Sequence, residues 1–176
     1  EMESAAMTPE GPLELVAGTA QVINLSGFDA FGNTVKSSVR WGIHPELGIM
    51  DEKGVVHPRK VGKGKIIASI TQLRTGKTLE VVREFSVAPG ETTRIDITPN
   101  QLEIVAGEEV IFTAASYDRY GNDTDVKIVW QAENSDLGTI DADGRFRGVR
   151  ALTGKLLAIH GNVVGSAAVE VVPAEV

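Results

Sequence analysis

The chain has 176 residues, a net charge of −7 and no cysteine. That length holds one large domain or two small ones, and the missing thiols exclude disulfides and thiolate metal sites. The acidic balance argues against nucleic acid as a partner, and no apolar run approaches the roughly 20 residues that span a bilayer, so no membrane insertion is expected. The charge is uneven. Residues 1–89 set ten cations against ten acids, whereas residues 90–176 set seven against 14. The chain opens on Glu-Met-Glu without a recognisable signal peptide, which reads as a processed product or a piece of something longer.

In chain order, the first extended stretch is short, Ala5-Ala6-Met7-Thr8-Pro9, and reads as a truncated or frayed strand. Leu15-Val16-Ala17-Gly18 follows. In "QVINLSGF" Ile23, Leu25 and Gly27 alternate onto one face, the period of a half-buried strand. The stretch "FDAFGN", Phe28–Asn33, then breaks the pattern. Val39 and Trp41 share the next inward face. Leu47-Gly48, Met50-Asp51 and Gly54 mark a hairpin, and "KIIASI" is another strand. A loop around Arg74-Thr75-Gly76-Lys77 leads to a last strand ending at Val87-Ala88-Pro89.

The same order then recurs. Ile104-Val105-Ala106-Gly107, Asp118, Gly121-Asn122 and Trp130 each lie 89 residues after their counterparts. Leu137-Gly138, Asp141, Gly144, Gly154-Lys155 and Ala158 lie 90 after theirs. Matches at so constant an offset mean duplication. The second copy opens on a fuller strand, Arg94–Pro99, and is shorter by six residues between its Ala158 and its closing Pro173. The boundary falls at Pro89-Gly90, a strong punctuator, giving domains 1–89 and 90–176. So short a linker predicts an elongated, end-to-end pair with a small interface.

No segment keeps a 3.6-residue period over a helix length. The class is all-β: two tandem immunoglobulin-like β-sandwiches, Greek key, about seven strands each. Trp41 and Trp130 then stand on the third strand, facing inward as core anchors, and are expected to be buried. From Trp130 onward the second copy reads W…LG-T-I-D-x-D-G-x-F-x-G…G…A…V-E-V-V, which resembles the bacterial Ig-like domains of group 2. The D-x-(aromatic)-G-N turns at Asp29 and Asp118 are similar to those in Ig-like repeats of invasin and intimin type adhesins. The resemblance implies a secreted or cell-surface bacterial protein in which such domains act as stalks, spacers or adhesive modules. The missing cysteines agree with a bacterial extracellular setting.

Several stretches tempt a functional reading. "FDAFGN" and "YDRYGN" are explained by turn chemistry: Asp accepts amides two residues on, and Gly and Asn tolerate positive φ. The aromatic is expected to lie over the end of the core. The competing reading is a sugar platform built from Phe28, Phe31, Tyr117 and Tyr120. Asp118, Asn122, Asp123 and Asp125 crowd one loop, but fit no defined calcium loop, and the first copy has Asp29, Asn33, Thr34 and Lys36 there. A solvated acidic loop is preferred, with a melting temperature indifferent to EDTA. "RTGKT" lacks the glycine and the strand–loop–helix context of a phosphate loop. Arg59, Lys60, Lys63 and Lys65 form the only basic patch, read as a solvated hairpin. His44, His57 and His160 share no metal-ligand spacing, and no nucleophile–base–acid set stands out.

The expectation is therefore a non-catalytic structural, spacer or adhesion module with no catalytic residues, metal site or cofactor. Its expected partners are neighbouring domains of a parent protein, with a cell-wall polysaccharide or a host or cell-surface ligand as the candidate beyond them. The isolated chain is expected to be monomeric. The alternative, from another class, is a carbohydrate- or wall-polymer-binding module appended to a hydrolase.

Overall fold

In the computed structural model, which describes residues 1–174, all regular structure is β. Two compact units follow one another, Glu1–Gly90 and Glu91–Val176. The first holds β1 (Met2–Thr8), β2 (Leu13–Val16), β3 (Gln21–Val22), β4 (Asn24–Asp29), β5 (Ser37–Ile43), β6 (Gly48–Met50), β7 (Val55–Pro58), β8 (Gly62–Gln72) and β9 (Thr78–Ala88). The second repeats them as β10 (Thr92–Thr98), β11 (Gln101–Val105), β12 (Glu109–Ile111), β13 (Thr113–Asp118), β14 (Val129–Ala132), β15 (Gly138–Ile140), β16 (Arg145–Gly148), β17 (Leu152–His160) and β18 (Val163–Val172).

These nine segments are seven sandwich strands, two of them broken. β1 pairs with β4 in one layer. The chain then turns past Pro9, and β2 pairs in parallel with the last strand, β9, of the other layer. β3 and β4 are one run interrupted at Ile23, whose N–H donates to the Gly54 carbonyl at 2.8 Å. One layer is thus β1–β4 with β3–β7–β6, and the other is β2–β9–β8–β5. The second unit has the same order, with Phe112 N–H on the Gly144 carbonyl at the matching break.

Alternation builds both cores. Ile66, Ala68 and Ile70 of β8 point inward onto Ile23, Leu25, Val56, Phe85 and Val87. In the second unit Leu156 and Ala158 meet Phe112, Phe146, Leu137 and Val169. Phe112 and Phe146 stack edge to face, 6.2 Å between centroids. Each such fully buried large side chain stabilises its unit by about 1.5–3 kcal/mol.

Two expectations need correction. The first strand of unit one is neither truncated nor frayed: β1 spans seven residues, as β10 does, and pairs with β4 across a bulge at Met2/Ser4 that matches the one at Thr92/Arg94. Met2, fully buried, supplies the apolar anchor that Ala5 and Ala6 do not advertise. Trp41 and Trp130 are half-buried, packed against the cores instead of sunk in them. Each indole lies against the glycine of the neighbouring turn, where an added Gly54 Cβ would sit 3.1 Å from Trp41 Cζ2 and a Gly144 Cβ 3.3 Å from Trp130 Cε2. The six extra residues of unit one fall at the β8–β9 turn, around Arg74-Thr75-Gly76-Lys77. They extend the hairpin by the pair Thr71–Thr78 and by Gln72. The buried Gln72 side chain accepts from Met2 N–H at 2.9 Å.

Candidate functional site: the repeated turns

The strand β4 ends at Asp29 because its carboxylate captures the chain that follows. Asp29 Oδ1 accepts the N–H of Phe31 and of Asn33, each at 2.9 Å. The Asn33 side-chain amide donates to both oxygens, at 3.3 and 3.1 Å. Gly32 N–H closes the turn on the Asp29 carbonyl with φ at 81°, a conformation that disfavours side chains bearing Cβ. These donors, the Asn33 side chain first, hold the Asp29 carboxyl below its ordinary value, because hydrogen bonds to the charged form favour it.

Asp118 does the same after β13. Its Oδ1 accepts Tyr120 N–H at 2.8 Å and Asn122 N–H at 2.9 Å, and its Oδ2 accepts the Asn122 amide at 2.8 Å. Gly121 again has φ at 81°. Here both Asp118 and Asn122 are buried. Thr124 extends the network, bonding Ser116 Oγ at 2.9 Å and Thr92 Oγ1 at 2.8 Å.

The hairpins at Asp51 and Asp141 decide what these turns are. Asp51 Oδ1 accepts Lys53 and Val55 N–H, both at 2.9 Å, and Asp141 Oδ1 accepts Asp143 at 3.0 Å and Arg145 at 2.9 Å. Gly54 and Gly144 have φ of 84° and 81°. The same Asp-x-x-Gly geometry therefore forms four times, twice without any aromatic or Asn. The carboxylates at issue are spent on backbone amides.

The aromatics divide differently from the expectation. Phe31 is 90% exposed and shields no core, because its turn is held by Asp29 and needs no ring packing. Tyr120 is 42% exposed, with the Arg119 guanidinium 5.4 Å from its ring centre. Arg94 lies 4.8 Å from the Tyr117 ring. Phe28 and Tyr117 are half-buried at the ends of their strands, so neither presents its whole ring to solvent.

In the acidic loop, Asp123 Oδ1 accepts Asp125 N–H at 3.0 Å, and Asp125 has φ of 44°. Among the described residues, no group of three His, Cys, Asp or Glu side chains could hold a metal ion. "RTGKT" is the β8–β9 turn, with Gly76 N–H on the Gln72 carbonyl at 2.9 Å and Thr75 Oγ1 on Gln72 Oε1 at 2.8 Å. Lys63 and Lys65 point outward from β8, Lys65 lying 3.8 Å from Glu84. Arg59 and Lys60 hold the preceding bend through their N–H groups on the Leu47 carbonyl. His44 follows β5, His57 sits on β7, and His160 Nδ1 lies 3.0 Å from the Lys127 carbonyl.

One functional-looking residue escaped the sequence reading. Arg83 sits at an inward position of β9, and its guanidinium donates to the carbonyls of Met7, Pro9 and Gly11. The signal is a charge on the inward phase of the alternation, where the repeat has Ala167.

Residues 91–172 match the family model of the bacterial Ig-like domain (group 2). That match lies within the second unit. The first unit repeats its strand order and ladders, so the chain carries two Ig-like β-sandwiches in tandem. Among solved structures, Drosophila N-cadherin EC1-4 aligns with a TM-score of 0.61 at 12% identity, over 99% of this chain and 50% of that one. Human protocadherin-24 EC1-2 aligns at 0.50 and 14%, over 99% and 100%. These identities speak to the fold alone. The surface-layer protein SbsC, domains 1-6, aligns at 0.49 and 15%, over all of this chain, which spans 28% of its length. No curated protein sequence matches the chain.

Proposed function

We propose that these Ig-like domains serve as a spacer in a larger secreted or cell-wall-attached bacterial protein, holding its other domains at a distance or in register. The observation that carries this is the use of the four Asp-x-x-Gly turns. Their carboxylates, amides and glycines are committed to building loop ends. The group 2 family of the second domain supports a structural or adhesive role at the cell surface. The partners are then the neighbouring domains of the parent protein.

A second reading rests on Phe31. A phenylalanine that is 90% exposed at a turn tip has no part in the core and offers an apolar face to a sugar ring. Incubating the chain with isolated bacterial cell walls and a glycan array separates the two. The spacer reading expects no retention on either. Retention abolished by Phe31→Ala, with unchanged thermal unfolding, overturns it in favour of a wall-polymer-binding module.

A further inference from the structure

The strand β5 is the last of its sheet, paired with β8 over seven residues without a register shift. Among the described residues no strand pairs its other side. Natural proteins guard such edges with bulges, prolines or repeated charges. The outward residues of β5 are only Ser38, Arg40 and Gly42. Its counterpart β14 has four residues, with Val129 and Gln131 flanking Trp130 where Arg40 and Gly42 flank Trp41.

Three further observations fall on this edge. Gly42 is a glycine the fold does not require. Its backbone is not left-handed, and an added Cβ would meet only the Ile67 carbonyl at 3.6 Å, an ordinary contact. A glycine inside a strand often marks close approach by another backbone or a ligand. Beside it the cross-strand row Gly42–Ile67–Val82 leaves Ile67 and Val82 about half exposed, at 46% and 50%. Along the strand lies a cleft of about 480 Å³, lined by Val39, Arg40, Trp41, Met50, Asp51 and Glu52. Trp41 and Met50, both half-buried, line that cleft.

We infer that β5 accepts an extended peptide segment of a partner protein as a fifth strand of this sheet. Main-chain hydrogen bonds supply the affinity and alternate side chains the selectivity. Opposite Arg40 the segment carries a carboxylate. Two residues along, opposite Gly42, it carries a large apolar side chain that reaches over the missing Cβ onto Ile67 and Val82. The residue between them is apolar and enters the cleft against Trp41 and Met50, where Glu52 and Asp51 disfavour an acid. A second copy is a poorer occupant, because Ser37–Ile43 holds no acid to face Arg40. The inference does not depend on the spacer reading, since a spacer and an adhesive module can each carry such an edge.

The cysteine-free chain makes the test clean. Ser38→Cys introduces a single exposed thiol, to which acetylated, amidated peptides are tethered by a disulfide: Cys-Val-Glu-Val-Leu-Thr for one strand direction and Thr-Leu-Val-Glu-Val-Cys for the other. Control peptides replace Glu by Lys. Tethering gives a millimolar effective concentration, so weak pairing is still read. With a Glu peptide in one direction, amides of β5 that face away from β8 should exchange about tenfold more slowly than in thiol-capped protein. The Glu peptide should outperform its Lys control about threefold, as a cross-strand charge pair does. In the Arg40→Glu background the preference should invert. Exchange unchanged by every peptide overturns the proposal. So does equal protection by Glu and Lys peptides in both backgrounds. Protection that rises with the concentration of the untethered chain alone assigns the edge to a second copy and also overturns it.

Discussion

The two domains share strand order, turns and core, yet hold their first strand in different ways. The parallel ladders pair Leu15 with Val87 and Ile104 with Val171. Counting back from those matched positions makes Gly165 the counterpart of Val81, and Ala167 that of Arg83. In the second domain β10 lies directly on β18, and a Cβ at Gly165 would collide with the Ile95 carbonyl. In the first domain the bulkier Val81 stands at that position. Arg83 reaches across to the carbonyls of Met7, Pro9 and Gly11, and Gln72 binds the Met2 amide. One domain closes its layer by glycine and close backbone approach, the other by a side-chain bracket. The fold constrains where the first strand runs and leaves the chemistry that fastens it free.

The largest expected effect comes from breaking that difference at Gly165. Gly165→Val imports the residue of the first domain against a fixed backbone carbonyl. Overpacking of this kind costs about 3 kcal/mol, and a domain this small should then lose on the order of 15 °C in melting temperature. The reverse change, Val81→Gly, removes side-chain contacts without a clash and should cost less. Calorimetry on the two variants checks the order, and a neutral Gly165→Val would mean that the close approach of β10 contributes nothing.

Next in size is the bracket. Arg83→Met keeps much of the apolar stem and removes the donors to three carbonyls. The loss should be about 2 kcal/mol, in the range for hydrogen bonds to charged groups. It should appear in the transition of the first domain only, with the second unmoved. A loss shared equally by both domains would show that the effect does not act through β1.

A smaller change sharpens the likeness. Gly32 and Gly121 both have φ of 81° and open space around an added Cβ. Gly32→Ala and Gly121→Ala should therefore each cost about 1 kcal/mol, from backbone strain alone. Unequal costs, read by thermal unfolding, would mean that the buried Asp118–Asn122 turn is under constraints its exposed counterpart lacks.

What could be read from the sequence follows from the range of the interactions. Turns were legible because Asp29, Asp51, Asp118 and Asp141 act on amides two and four residues away. The cores were legible because alternation in "KIIASI" and "KLLAIH" is local. Met2 was missed because two alanines separate the anchors of β1 from a recognisable period. Arg83 was missed because "VVREF" reads naturally as outward charge, and its carbonyl partners lie more than 70 residues away. The Trp expectation overshot because burial of an indole depends on the turn glycine beside it. The open edge of β5 belongs to topology: Ser37–Ile43 reads as one more strand, and only the strand order leaves it, among the described residues, unpaired on one side.

The smallest effect concerns acid. Asp29 holds its proton less tightly in the folded chain than an ordinary aspartate, chiefly through the Asn33 side chain. A carboxyl lowered in this way stabilises the folded state above its unfolded value, and the contribution fades as pH falls through the folded value. The turn is exposed to solvent, so the contribution is small. Asp29→Asn keeps an acceptor at the same place and removes the titration. The difference in melting temperature between the parent chain and Asp29→Asn should be flat from about pH 7 to pH 5 and should shrink below about pH 4. A difference that holds constant down to about pH 2 would mean that the amides of Phe31 and Asn33 are satisfied equally well by a neutral side chain, and that the charge of Asp29 has no part in ending β4.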